Sequence, residues 1–89
     1  MAVPQVTMYT TGWCPYCFRA RALLERKGIT WSEIDLDAEP GRRDEMEARS
    51  GRRSVPQIFI GERHVGGADE LAELERRGEL EQLLELRTG

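Results

Sequence analysis

Two cysteines separated by two residues are the reactive groups that stand out in this sequence. Cys14 and Cys17 lie in the stretch TGWCPYCFRA, residues 11–20, and are the chain's two cysteines. Such a pair could bind a metal, form a structural disulfide or act as a redox couple. A structural zinc site needs four ligands, and the chain's one histidine, His64, does not complete that set. A disulfide with a two-residue spacer closes a small ring and adds little loop-entropy stabilisation.

The residues around the pair predict a strand that runs directly into a helix. Residues 3–10 (VPQVTMYT) are β-branched and aromatic, and Pro15 suits the first position of a helix that ends near Gly28. The unpaired N–H groups and the dipole of a helix N-terminus stabilise negative charge there. The nucleophilic thiolate form of Cys14 is therefore favoured. Cys17, one turn further on, is close enough to attack a mixed disulfide on Cys14, which favours redox chemistry.

The rest of the chain predicts a mixed α/β arrangement. A second strand over residues 29–36 completes a β-α-β unit, which implies parallel strands and a right-handed crossover. Further elements are predicted as a helix over 40–50, a strand over 55–60, a short strand over 63–65, a helix capped by Asp69 and a last short helix containing Leu80, Leu83 and Leu84. The predicted order of elements is β-α-β-α-β-β-α-α.

Length and composition limit the class of protein. The 89 residues predict a single domain over 1–89, and the net charge of −3 argues against a general nucleic-acid binder. No apolar stretch approaches the roughly 20 residues that span a bilayer. The N-terminus lacks the pattern of a signal peptide, and a secreted scaffold of this size would carry more cysteines. We therefore expect a cytoplasmic protein with neither a nucleic-acid nor a membrane partner.

Three stretches together carry a family resemblance: CPYC at 14–17, RSGRRSVPQIFI at 49–60 and VGGADEL at 65–71. Over residues 5 to about 85, the chain resembles dithiol glutaredoxins, most closely the bacterial glutaredoxin 3 type. The resemblance implies a thioredoxin-like (glutaredoxin) α/β fold, with a four-stranded mixed sheet in spatial order 2-1-3-4 and helices on both faces. It also implies an enzyme, a glutathione-disulfide oxidoreductase that reduces glutathione–protein mixed disulfides and protein disulfides.

The resemblance assigns the catalytic roles by position. Cys14 would be the nucleophile and Cys17 the resolving thiol, and the two would form the redox-active disulfide. Tyr16 would flank the bound glutathione. The main chain of Val55 would pair with the cysteinyl residue of glutathione, held there by a cis peptide bond at Pro56.

Other positions would bind the ends of the tripeptide. Gly67, Ala68 and Asp69 belong to a GG-x-D loop whose backbone N–H groups bind the γ-glutamyl carboxylate, while the aspartate meets the γ-glutamyl amine. Arg43 stands where family members place a basic or amide residue against the glycine carboxylate.

Three positions depart from the family pattern. Thr11 replaces a lysine found in many members three residues before the nucleophile, Ser54 keeps the hydroxyl of the usual threonine, and Ala68 replaces a common cysteine. One hypothesis is that the nearby arginines compensate for the missing lysine; these are Arg19, Arg52 and Arg53.

Purely structural explanations stay open for three of the assigned residues. Asp69 could be only a helix N-cap, Arg43 a solvated helix residue and Tyr16 a packing residue.

The resemblance also sets expectations about cofactors and partners. We expect no tightly bound cofactor and no metal, glutathione as co-substrate, glutathionylated or disulfide-bonded proteins as partners, and a monomer. A rival function is that of an iron–sulfur carrier, because some glutaredoxins bridge a [2Fe–2S] cluster between two monomers; the proline in CPYC is unfavourable for it. The stretch MYTTGWC also resembles mycoredoxins, which use mycothiol. Those relatives usually lack the GG-x-D loop, so glutathione is favoured.

Overall fold

The computed structural model describes residues 4–84, which fold into four strands, four helices and one short 3₁₀ turn. The strands are β1 (Val6–Thr10), β2 (Ser32–Asp35), β3 (Gln57–Ile60) and β4 (Arg63–Gly66). The helices are α1 (Pro15–Arg26), α2 (Arg43–Ser50), which follows the 3₁₀ turn Pro40–Arg42, then α3 (Ala68–Arg76) and α4 (Glu79–Leu83). The predicted order of elements is therefore confirmed within these residues. The predicted start of the first strand at Val3 lies outside them.

The strands form one mixed sheet in the order β2-β1-β3-β4, as predicted. Strand β1 pairs in parallel with β2, where Tyr9 is opposite Ile34, and antiparallel with β3, where Met8 is opposite Ile58. Strand β4 pairs antiparallel with β3 at the edge. The central place of β1 puts the cysteine motif, which follows its last residue, at one end of the sheet.

Because successive side chains of a strand point to opposite faces of the sheet, the core has two layers. On one face, Val6 and Met8 of β1 pack with Ile58 and Ile60 of β3 against α1, α3 and α4. On the other face, a smaller cluster lies under α2. Its buried members are Tyr9, Ile34, Leu36, Met46 and Phe59. The helices thus cover both faces, and this confirms the thioredoxin-like architecture that the resemblance implied.

Two strands are shorter than the sequence predicts. Strand β2 begins at Ser32 and not at Ile29, because the Ile29 N–H still donates to the Leu24 carbonyl at the end of α1, at 2.9 Å. Strand β3 begins at Gln57, because Pro56 has no N–H to give to a ladder.

The prediction that Asp69 caps the third helix is wrong. Gly67 is the N-cap residue of α3, in an extended conformation, and Asp69 lies inside the first turn. Asp69 is therefore not needed as a cap, and its carboxylate is available for another role. Among residues 4–84, no helix is both long and apolar enough to cross a bilayer.

Candidate active site

The strand-to-helix junction places Cys14 at the N-cap of α1. Its backbone is extended (φ −147°, ψ 109°), and Pro15 begins the helix. The Cys17 N–H donates to the Cys14 sulfur at 3.2 Å, and the Phe18 N–H donates to the Cys14 carbonyl at 3.1 Å. A helix-terminal N–H aimed at sulfur stabilises the thiolate form. Because Cys14 keeps 7% of its surface exposed, this sulfur can meet a substrate at the rim of the fold.

The second cysteine lies in a different environment. Cys17 is fully buried, and both cysteines are free thiols. Burial, followed by the hydrogen bond with Cys14, raises the pKa of the Cys17 thiol to about 12. A backbone hydrogen bond from Thr11 and the charge of Arg21 act in the opposite direction and do not overcome this. Cys17 therefore stays a neutral thiol near pH 7.

The loop before β3 contacts the Cys14 sulfur. The peptide bond between Val55 and Pro56 is cis, as the resemblance implied. The Val55 carbonyl oxygen lies 3.7 Å from the Cys14 sulfur, close enough for a weak S–H···O contact. Residues far apart in sequence are thus adjacent at the reactive sulfur.

A groove of about 260 Å³ extends from this loop to the start of α3. Its lining comprises Tyr16, Arg52, Ser54, Val55, Pro56, Gln57, Gly67, Ala68, Asp69 and Glu70. The structure therefore brings together every residue predicted to bind glutathione except Thr11 and Arg43. A second cavity of about 290 Å³ lies at the other end of β1, and its described lining residues include no charged side chain. The groove is the cavity that adjoins the cysteine pair.

Thr11 and Arg43 lie outside the groove lining. Thr11 acts through its backbone on Cys17, as described above. The Arg43 guanidinium donates to the Arg53 carbonyl at 2.6 Å, so it ties the start of α2 to the chain that leads into the Ser54 loop. Each residue thus has a structural contact near the cysteine pair or the Ser54 loop.

Glu70 was not predicted, and Arg52 was predicted only as a compensating positive charge; together they join the two loops that form the groove. The Glu70 carboxylate accepts the Gly67 N–H at 2.6 Å, and Arg52 Nη1 lies 3.5 Å from the same oxygen. The Gly67 hydrogen bond is the first cause of the lowered pKa of Glu70. A Cβ at Gly66, where φ is 122°, would lie 2.7 Å from that oxygen, so glycine is required there. An acidic residue three positions after a helix N-cap was the available signal for Glu70.

Gln57 is a second groove residue that was not predicted. Its side chain is buried, and its Nε2 donates to the carbonyl and hydroxyl oxygens of Ser54 at 3.1 and 3.2 Å. Its Oε1 lies 2.7 Å from Nε2 of His64, whose ring packs on Phe59. Burial is the main cause of the lowered pKa of His64. His64 is thus a half-buried partner of the loop.

Comparison with known proteins gives consistent matches. The family model described as Glutaredoxin matches residues 6–65. A glutaredoxin of Pseudomonas aeruginosa is 54% identical over 82 residues, which cover 92% of this chain and 98% of the relative. Glutaredoxin 3 of Escherichia coli K12 is 51% identical over 79 residues, covering 89% and 95%. The crystal structure of a buckwheat glutaredoxin–glutathione complex superposes with a TM-score of 0.85 at 30% identity, covering 92% of this chain and 77% of that one.

Proposed function

This chain belongs to the glutaredoxin family and is a glutathione-dependent thiol–disulfide oxidoreductase, and we propose that Cys14 is its nucleophile and Cys17 its resolving thiol. The observation that carries this assignment is the difference between the two sulfurs. Cys14 receives a helix-end N–H at 3.2 Å and keeps 7% of its surface exposed, whereas Cys17 is fully buried with a pKa raised to about 12. A thiolate attacks disulfides and a thiol does not, so the roles are not interchangeable.

The first proposed cycle uses Cys14 alone. Its thiolate attacks the glutathione sulfur of a glutathionylated protein, the glutathione–protein S–S bond breaks, and the protein leaves as a thiolate. Cys14 then holds glutathione as a mixed disulfide. The thiolate of a second glutathione attacks the glutathione sulfur of that disulfide. Glutathione disulfide forms and the Cys14 thiolate returns, so the net reaction oxidises one free glutathione, which joins the glutathione released from the substrate, and reduces the protein sulfur to a thiol.

The second proposed cycle uses both cysteines. Cys14 attacks a protein disulfide and forms a mixed disulfide with one substrate sulfur, and the other substrate sulfur leaves as a thiolate. Cys17 then loses its proton and attacks the Cys14 sulfur. The Cys14–Cys17 disulfide closes and the reduced protein leaves. The thiolate of one glutathione then attacks the Cys14 sulfur, the Cys14–Cys17 bond breaks, and Cys17 leaves and regains its proton. A second glutathione removes the first from Cys14 as glutathione disulfide, as in the first cycle.

We propose that glutathione lies in the groove with its γ-glutamyl end at α3. The first N–H groups of a helix have no partners within the helix, so those of Ala68 and Asp69 suit a carboxylate. The Asp69 side chain would pair with the γ-glutamyl amine. The crystal structure of the buckwheat relative is a glutathione complex, which supports a glutathione site in this fold.

The middle and the glycine end of glutathione would meet the other predicted residues. The main chain of Val55, next to Pro56, would pair with the cysteinyl residue as an added strand, flanked by Tyr16 and the Ser54 hydroxyl. Arg43 uses one guanidinium N–H for the Arg53 carbonyl at 2.6 Å. A guanidinium has five N–H donors, so others remain for the glycine carboxylate, beside the Thr11 hydroxyl.

The proposed cellular location follows from the redox chemistry of the two cysteines. A dithiol that must be reduced to act fits a reducing compartment, so we propose a cytoplasmic location. The partners would be glutathione and glutathionylated or disulfide-bonded proteins. We propose that the enzyme works as a monomer with no tightly bound cofactor.

A direct assay tests this function and the identity of the thiol. The reduced protein is mixed with the disulfide of cysteamine and glutathione plus free glutathione, and separately with the corresponding mycothiol disulfide plus mycothiol. We expect catalysed release of cysteamine in the glutathione reaction, above the uncatalysed rate. Catalysis in the mycothiol reaction alone would contradict the proposal.

A further inference from the structure

Aromatic side chains surround the reactive cysteine on two sides. The exposed large apolar side chains are Trp13 at 86%, Tyr16 at 53% and Phe18 at 49%. Tyr16 lines the groove, whereas Trp13 and Phe18 do not. Tyr16 and Phe18 are two residues apart in α1, and each helical residue turns the chain by about 100°. They therefore point to opposite flanks of the helix start, and Phe18 lies on the flank away from the groove.

Trp13 and Phe18 form one continuous surface, which we call the aromatic pair. Their ring centroids are 6.2 Å apart, and the ring planes meet edge to face at 85°. The Arg21 guanidinium carbon lies 5.3 Å from the Phe18 ring centroid. Phe18 is thus contacted by Trp13 and by a cation, and the pair has a defined shape before any partner arrives.

A carboxylate compensates the positive charge of Arg21 beside the aromatic pair. Arg21 Nε lies 3.0 Å from both oxygens of Glu33, and its Nη2 lies 2.5 Å from one of them. Thr10 and Trp31 also donate to the Glu33 carboxylate, at 2.9 and 3.1 Å. The Arg21 guanidinium is therefore held in place, and the Glu33 carboxylate neutralises its charge. The surface of the aromatic pair is consequently more apolar than charged.

We propose that the aromatic pair binds the protein half of a glutathionylated substrate, through an apolar side chain next to the substrate's reactive cysteine. This rests on the proposed function, in which glutathione fills the groove on the other flank of Cys14. The S–S bond of the substrate is about 2 Å long, so the substrate protein must cover the surface around Cys14 during attack. The aromatic pair is the apolar surface next to Cys14 that the groove leaves uncovered. Exposed aromatic residues of this kind commonly dominate binding energy at protein interfaces.

The test compares one reaction on three substrates. These are a glutathionylated peptide with leucine on both sides of the cysteine, the same peptide with serine in those places, and the glutathione–cysteamine disulfide. For Trp13→Ala we expect kcat/KM on the leucine peptide to fall roughly tenfold. The cysteamine disulfide does not reach the pair, so its kcat/KM should stay within about twofold. Phe18→Ala should show the same pattern, and Trp13→Phe should restore most of the leucine-peptide activity.

Each other outcome has a definite meaning. An equal loss on all three substrates would make Trp13 a support of the catalytic geometry and would overturn the docking role. An unchanged preference for leucine over serine in Trp13→Ala would also overturn it. If the unaltered protein failed to turn over the cysteamine disulfide, the proposed function itself would be wrong.

Discussion

The backbone N–H of Cys17 donates to the sulfur of Cys14 at 3.2 Å. The residue proposed to resolve mixed disulfides through its side chain thus also stabilises the nucleophile through its peptide group. A substitution of the Cys17 side chain removes the first contribution and keeps the second. The two contributions can therefore be separated by mutation.

Replacing each cysteine by serine should divide the two activities. Cys17→Ser retains the N–H donor, so we expect its reduction of a glutathionylated peptide to stay within roughly threefold of the unaltered protein. Its reduction of a protein disulfide should fall to the uncatalysed rate, because no second thiol can close the internal disulfide. Cys14→Ser should lose both activities. Equal loss of both activities in Cys17→Ser would show that the roles are not divided in this way.

Alkylation should distinguish the two thiols by charge. Because its pKa is raised to about 12, Cys17 is almost wholly protonated at pH 8 in the folded protein. Iodoacetamide reacts with thiolates, so native protein at pH 8 should take one label, found on Cys14 by peptide mapping. In urea, Cys17 regains an ordinary pKa near 8.5, and the protein should take two labels. Labelling of Cys17 in the native protein at pH 8 would contradict the assigned environment.

The sequence predicts well what depends on local spacing. Cys14 and Pro15 mark a strand-to-helix junction, and Pro56 precedes the first residue of β3, so the arrangement of strands and helices around the cysteine pair followed from short motifs. The contacts of Arg52, Gln57 and Glu70 were missed because each joins side chains brought together only by folding. Arg52, for example, meets a carboxylate 18 positions later in the chain, at 3.5 Å.

The wrong helix-cap prediction for Asp69 shows the same limit of prediction from sequence. An aspartate at the start of a predicted helix is a common N-cap, but the cap here is Gly67, one residue after a glycine whose φ is 122°. Because Gly66 and Gly67 allow this turn, α3 begins at Ala68 and not after Asp69. The Glu70 carboxylate accepts the Gly67 N–H at the start of α3. The spacing of residues in the sequence does not reveal this contact.

Removing the carboxylate of Asp69 should weaken substrate binding. Asp69 lines the groove in the first turn of α3, where it would pair with the γ-glutamyl amine. A charged hydrogen bond contributes about 1.5–3 kcal/mol, so Asp69→Ala should raise the KM for glutathione–cysteamine roughly tenfold, with little change in kcat. Glu62→Ala, an exposed carboxylate in the turn between β3 and β4, is the matched control. An unchanged KM for Asp69→Ala would remove this residue from the site.

The ion pair behind the aromatic pair should make stability depend on pH. Hydrogen bonds from Arg21 are the first cause of the lowered Glu33 pKa, from 4.5 to about 2. A lowered carboxyl pKa contributes stability that is complete above about pH 4.5 and is lost as the pH falls through about 2. The pair is partly exposed, so Glu33→Gln should cost only about 1 kcal/mol at pH 7, which lowers Tm by about 4–8 °C in a domain of this size.

Thermal unfolding measured from pH 7 down to pH 2 checks this expectation. The Tm difference between the unaltered protein and Glu33→Gln should be constant above about pH 4.5 and should shrink steadily below it. Arg21→Gln should produce the same pH dependence, since it removes the other half of the pair. The double variant should cost less than the sum of the two single changes, because the residues act together. A Tm difference that stays constant down to pH 2 would mean that Glu33 stabilises the fold through packing and not through its charge.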